Sequence, residues 1–148
     1  MADERPVLDG INLVVRDMEA MLDFYKQLGL DVEPTVSPWE RHHRNLSTRE
    51  GLDFDLDSTE FATKWDRGWR RGQTGPVIGF RLPSRDAVDA AYERLIGAGA
   101  AGQQPPYDAF WGARYAVVAD PEGNAIGLMS PIEPARQTEP PDPTASTS

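Results

Sequence analysis

The chain has no cysteine among its 148 residues. That absence excludes disulfides and thiolate metal sites and makes a reducing cytosol the natural compartment. Long hydrophobic stretches are missing too. No run of 18 apolar residues occurs, and the opening "MADERPVLDG" has no apolar h-region. The expectation is a soluble, unexported, cytoplasmic protein that does not meet a membrane. Basic charge is scarce: 15 Lys and Arg stand against 24 Asp and Glu, for a formal net charge of −9. Nucleic acid, whose phosphates want a basic face, is disfavoured as a partner. A cationic ligand is compatible with this balance, and so is an acidic surface kept simply for solubility.

What the chain does contain is a repeat. "INLVVRDMEAMLDFYKQLG" opens as an alternating strand and continues with a helical period through Met18, Met21, Leu22, Tyr25 and Leu28. "IGFRLPSRDAVDAAYERLIG" does the same, with Val88, Ala91, Tyr92 and Leu95 on the helix face. A shift of 67 residues lays Ile11 on Ile78, Leu13 on Phe80, Ala20 on Ala87 and Tyr25 on Tyr92. Both helices have an N-cap candidate, Asp17 or Ser84, and both end in Gly-containing breaks. Further along, a shift of 72 lays "TREGLDFDLD" on "DPEGNAIGLM", turn on turn and strand on strand.

Such a duplication fixes the architecture to be expected. Each half reads strand, helix, then about three strands. The fold class is α+β: two tandem βαβββ modules forming a curved mixed sheet around a cleft, with helices on its outer face. An N-terminal arm covers 1–6, the first module 7–60, a linker or short helix 61–75, and the second module 76–132. Residues 133–148, rich in Pro, Thr and Ser without a hydrophobic period, are expected to be a disordered tail. A chain of this length buries roughly 68–70% of its unfolded surface, enough for a core without staples.

The period of two assigns the strand faces. Ile11, Leu13 and Val15 face the helices, and Gly10, Asn12 and Val14 face away. In the same way Ile78, Phe80 and Leu82 oppose Val77, Gly79 and Arg81, while Leu52, Phe54 and Leu56 oppose Asp53, Asp55 and Asp57.

The opening "INLVVRDMEAMLDFYKQLGLDV" and the hairpin "YAVVADPEGNAIGLMSP" resemble the vicinal oxygen chelate superfamily, which includes glyoxalases, extradiol dioxygenases, fosfomycin-resistance enzymes and bleomycin-resistance proteins. The resemblance covers about residues 7 to 132 and is specific for fold rather than function. It implies a homodimer. It also implies four cleft-facing positions that carry His, Gln or Glu ligands in metal-using members, and these carry Gly10, Asp55, Val77 and Gly127 here. One carboxylate does not hold a divalent ion against water, so no metal and no other cofactor is expected. His42 and His43 are adjacent on a strand reading and point to opposite faces, so at most one reaches the cleft, paired with Asp55. That pairing is the basis of an alternative, a metal-dependent lyase or oxygenase with a displaced site.

Metal-free relatives of this pattern include proteins that sequester antibiotics in aromatic, acidic grooves. Trp39, Trp65, Trp69 and Trp111 fall in segments that read as connections or strand edges, with Tyr107 and Phe110 beside them. Aromatic faces suit flat ligands and cations. Trp65 and Trp69, four apart, equally suit anchoring a short helix over the core, and Trp111 equally suits plugging the last hairpin. The alternating aspartates suit either a solvated edge or a stripe for a cation. Arg81 and Arg114 suit either neutralising these acids or meeting an anionic group. The candidate ligand-binding set is Asn12, Trp39, Asp53, Asp55, Trp65, Arg81, Phe110, Trp111 and Arg114, with no catalytic residue assigned. The expected function is metal-independent sequestration of a drug-like, cationic aromatic molecule.

Overall fold

A computed structural model describes residues 3–48 and 51–144. The first half forms β1 (Val7–Val15), α1 (Met18–Leu28), β2 (Asp31–Val32), β3 (His43–Ser47) and β4 (Asp53–Ser58). A short helix, α2 (Thr59–Trp65), leads to the second half: β5 (Gly75–Arg81), α3 (Arg85–Gly97), β6 (Ala101–Asp108), β7 (Arg114–Ala119) and β8 (Ala125–Met129). All eight strands join one mixed sheet in the order β2-β3-β4-β1-β5-β8-β7-β6. Its centre is the antiparallel β1–β5 pair, flanked by the parallel pairs β1–β4 and β5–β8. The repeat therefore folds as two βαβββ units joined edge to edge within one chain.

Local signals set the helices. The Asp17 carboxylate accepts from the Ala20 amide at 3.0 Å, and Gly29, at φ 113°, supplies the left-handed residue that ends α1. Ser84 caps α3 in the same way through the Ala87 amide at 3.1 Å. Met18 and Leu22 of α1 pack on Val15, Leu46 and Leu56, and Val88 and Ala91 of α3 pack on Leu82, Ala116 and Leu128. These two clusters cover the face assigned to the helices. The β7–β8 hairpin turns where Asp120 accepts from the Glu122 and Asn124 amides and Gly123 takes φ 90°. Its counterpart turn includes residues 49 and 50, which lie outside the described residues.

Two expectations are corrected. The first concerns α2, which sits on the concave side of the sheet, opposite α1 and α3. Ser58 Oγ accepts from the Phe61 amide at 3.0 Å to start the helix. Phe61, Ala62 and Trp65 then pack on Val14 and Val77, residues of the inward faces of β1 and β5. Trp65 and Trp69 are thus only 3% and 5% exposed, as the reading that they anchor a short helix over the core has it.

The second concerns the tail expected to be disordered over 133–148. Residues 133–138 lie against the second module, and Asp142 lies near Lys64 of α2 and His42. The Glu133 amide donates to the Gly112 carbonyl at 3.0 Å, Pro134–Arg136 make one 3₁₀ turn, and the Thr138 amide donates to the Phe110 carbonyl at 2.9 Å. Gly112 permits this contact, since a Cβ there would come within 2.5 Å of the Glu133 oxygen. Prolines with fixed φ lose little entropy on ordering, which a search for hydrophobic period does not register. Residues 145–148 lie outside the described set.

Candidate functional site

The inward face of the sheet, α2 and the C-terminal segment enclose a cavity of about 470 Å³. That is within the ordinary range for small-molecule sites, roughly 300–1,000 Å³. Gly10, Asn12, Val77 and Gly79 form the floor from the central strands, as the alternation assigned. Asp53, Asp55 and Asp57 line one side, and Phe110, Trp111, Tyr115 and Met129 line the other. Ile132 and Pro140 reach the cavity from the C-terminal segment. Among the described residues, no Lys or Arg lines it.

The acidic side is built around Asp57, which is 1% exposed. Asp57 accepts from Asn12 Nδ2 at 3.0 Å, from Trp65 Nε1 at 2.9 Å and from His43 Nδ1 at 2.5 Å. Burial alone would depress the His43 imidazole. The hydrogen bond and charge of Asp57, with Asp55 and Asp53 behind it, prevail and push it up to about 9. His43 is therefore an imidazolium at neutral pH. Asn45 donates to Asp53 at 2.9 Å and to Asp55 at 2.6 Å. Burial pushes the Asp55 carboxyl up to about 6, against the opposing pull of His43 and Asn45. His42 faces elsewhere, its Nδ1 2.8 Å from Ser58 Oγ. Of the two histidines one reaches the cleft, and its hydrogen-bond partner is Asp57 rather than Asp55.

The aromatic side is apolar and interlocked. Tyr115 packs edge-on against Trp111 at 5.1 Å, Trp65 at 6.2 Å and Tyr107 at 6.2 Å between ring centroids. Trp111 directs Nε1 at Met129 Sδ at 3.1 Å, and the Tyr107 hydroxyl donates to the Trp65 carbonyl at 3.0 Å. Trp39 packs edge-on against Phe61 at 5.1 Å and closes the cavity from the first module. Tyr115 leans over Gly127. A Cβ at Gly127 would stand 3.0 Å from the phenolic oxygen and 3.3 Å from the ring. The bare glycine in β8 therefore houses a tyrosine. Burial, and the nearby Tyr107, Asp66 and Asp57, raise the Tyr115 phenol well above its ordinary value, so it stays a donor.

Of the nine candidate ligand residues, seven line the cavity: Asn12, Trp39, Asp53, Asp55, Trp65, Phe110 and Trp111. Two do not. Arg114 lies on the opposite phase of β7 from Tyr115 and reaches outward to Asp89 of α3 at 2.8 Å and to Asp108 at 3.2 Å. Arg81, at the end of β5, is held at the rim by Asp9 at 2.8 Å. Arg114 meets no cleft acid, and Arg81 meets only Asp9 at the rim, not Asp53, Asp55 or Asp57. The candidate set omitted His43, Asn45, Phe61 and Tyr115, all of which line the cavity. A signal for two of them was present: the offset of 72 carries Trp39 onto Trp111 and His43 onto Tyr115.

The residues do not fit the metal that the fold accommodates in other proteins. Gly10, Val77 and Gly127 offer no donor. A side chain at Gly10 would begin 2.8 Å from the Asp53 carbonyl, and the space over Gly127 belongs to Tyr115. Among the described residues no three His, Cys, Asp or Glu side chains are grouped to hold an ion, and no helix is long and apolar enough to cross a membrane.

Comparison with solved structures supports the fold. A Mn(II)-bound glyoxalase from Novosphingobium aromaticivorans matches at TM-score 0.58 and 18% identity, over 84% of this chain and 39% of that one. A hypothetical protein, BH1468 from Bacillus halodurans C-125, matches at 0.57 and 19% identity, over 90% and 98%. A glyoxalase/bleomycin resistance protein/dioxygenase superfamily member from Vibrio splendidus 12B01 matches at 0.53 and 15%, over 82% and 97%. A search of curated proteins returned no match. The sequence profile of one family spans residues 7–128, and by that match the chain belongs to the Glyoxalase/Bleomycin resistance protein/Dioxygenase superfamily.

Proposed function

We propose that this protein binds and sequesters a small, planar, cationic aromatic molecule in the cleft, without a metal, in the manner of the antibiotic-binding branch of its superfamily. One observation carries the reading: an apolar, aromatic cavity has three carboxylates along one side, a fourth, Asp9, paired with Arg81 at the rim, and no Lys or Arg among its described lining residues. The single imidazolium of His43 offsets only part of that charge. Aromatic walls supply stacking and cation–π attraction, and Asp53 and Asp55 supply the counter-charge in a site partly shielded from water.

The test is a titration with 9-aminoacridine, a planar monocation, followed by tryptophan fluorescence and calorimetry. Acridine, neutral in mildly alkaline buffer, serves as its uncharged match. The cation is expected to quench and to bind at least tenfold more tightly than acridine, since a charge-assisted contact is worth about 1.5–3 kcal/mol. Failure of 9-aminoacridine and a wider panel of aromatic cations to bind would end the sequestration reading. So would stoichiometric Zn, Ni, Mn or Fe in untagged protein.

We further propose that the protein works as a homodimer. Phe24 and Leu28 on α1, 61% and 66% exposed, are apolar surface that a second copy would cover. The lining residues described above all come from one chain. A monomeric mass by light scattering would overturn this part.

A further inference from the structure

We propose that the cleft recognises its ligand at both ends, taking a planar aromatic cation whose opposite end carries a hydrogen-bond acceptor such as a carbonyl or ether oxygen, with Tyr115 as the residue that reads this end. The inference rests on the sequestration reading and adds to it the second half of the ligand.

The ring donors that pack against Tyr115 all have partners. Trp65 Nε1 is bound by Asp57, Trp111 Nε1 by Met129 Sδ, and the Tyr107 hydroxyl by the Trp65 carbonyl. Tyr115 is the exception. It is 8% exposed, and among the described residues its hydroxyl makes no hydrogen bond, yet it lines the cavity. Three rings pin its side chain, so it does not swing away to find a partner. Gly127 leaves free the space in which the hydroxyl lies. The hydroxyl is not among the fully buried unpaired atoms, so it opens to the cavity, where it is a fixed donor that a ligand acceptor can take. The carboxylates of Asp53 and Asp55 stand on the other side of the same cavity, across the floor of β1 and β5. A ligand spanning the cavity thus meets an anionic site at one end and a single neutral donor at the other. A donor selects an acceptor, and a neutral, protonated phenol does not need that acceptor to be charged.

Tyr115→Phe separates this role from a structural one. The wild-type protein and the variant are titrated with 9-aminoacridine and with a set of its ring carboxamides, whose carbonyl is carried at different ring positions. In the wild type at least one carboxamide should bind about tenfold more tightly than 9-aminoacridine, the worth of one good hydrogen bond. Tyr115→Phe keeps the ring and should erase that gain, so that the carboxamides bind no more tightly to the variant than 9-aminoacridine does. Because the lost hydroxyl had no protein partner, the melting temperature of the free variant should stay level or rise. If 9-aminoacridine binds but no carboxamide gains, the two-ended inference is wrong while the sequestration reading stands. A drop in melting temperature on Tyr115→Phe, or equal losses for both kinds of probe, would make the hydroxyl structural and overturn the inference. If no probe binds the wild type, both readings fall together.

Discussion

The two modules share a backbone plan and differ in what they show to the cleft. Under the offset of 72, Phe54 matches Ile126 and Leu56 matches Leu128, so the helix-facing side is apolar in both. The cleft-facing side diverges at every position: Asp53, Asp55 and Asp57 stand against Ala125, Gly127 and Met129. On the neighbouring strands the same offset sets His43 against Tyr115. Each of these two residues meets the strand beside it, His43 opposite Asp57 and Tyr115 opposite Met129. One module holds a charged pair where the other holds a phenol and a thioether. Packing constrains the outer face to stay apolar in both copies. The inner face is free of that constraint, and there the copies have separated into an acidic half and an aromatic half.

The largest expected effect comes from breaking the acidic half at its centre. Asp57→Ala removes the common acceptor of Asn12, Trp65 and His43 and leaves one buried and two part-buried donors unpaired. It should cost about 3–5 kcal/mol of stability, read by urea denaturation. A loss no greater than that of an exposed aspartate would show that the network holds nothing together. The corresponding change in the aromatic half is smaller. Gly127→Ala places a methyl group 3.0 Å from the Tyr115 oxygen, and the ring, fixed by its neighbours, has little room to yield. About 1–3 kcal/mol is expected, with loss of any binding gain that depends on Tyr115. An unchanged melting temperature would mean that the glycine is not what houses the phenol.

The smallest effects are those of pH, and they have opposite signs. Asp55, raised to about 6, takes up a proton as the pH falls through that value, and the cleft loses a negative charge. Affinity for 9-aminoacridine, whose own charge is constant there, should fall by roughly threefold to tenfold between pH 7 and pH 5. Stability shifts at the other end of the scale. The His43 imidazole ionises near 9 in the fold against 6.5 in an unfolded chain. Its pairing with Asp57 therefore contributes fully below 6.5 and is lost as the pH rises through about 9. The His43 side chain is 42% exposed, so solvent screening holds that contribution to about 1 kcal/mol. His43→Gln should flatten the alkaline part of the stability profile, and a profile identical to wild type would assign the slope to another group.

Sequence patterning made the backbone plan legible, because the duplication and the period of two are enforced by burial across whole strands. It placed Asp53, Asp55 and Asp57 on the cleft face and Phe54 and Leu56 on the helix face, and both placements hold. It did not reveal which aspartate anchors the site. That depends on Trp65 and Asn12 converging on Asp57 from residues 8 and 45 positions away. Position of α2 was equally hidden, since its apolar side at Phe61, Ala62 and Trp65 suits either face of the sheet. The arginines misled for a local reason: Arg114 is held by Asp89 and Asp108, and Arg81 by Asp9 at the rim, rather than by the aspartates of β4. The meaning of Gly127 lay in a side chain from the neighbouring strand, which no reading of "AIGLM" alone contains.

The junction of the modules has one more consequence. β1 and β5 run side by side from Val7 opposite Arg81 to Val14 opposite Gly75, so the acidic and aromatic halves share one hydrogen-bonded ladder. Spreading the halves would break that ladder. The cleft therefore has a nearly fixed gauge, and adjustment falls to the rings of Trp39 and Phe110, which are only partly buried. On the sequestration reading, such a slot would sort molecules by thickness before charge, favouring flat rings over puckered ones of the same volume.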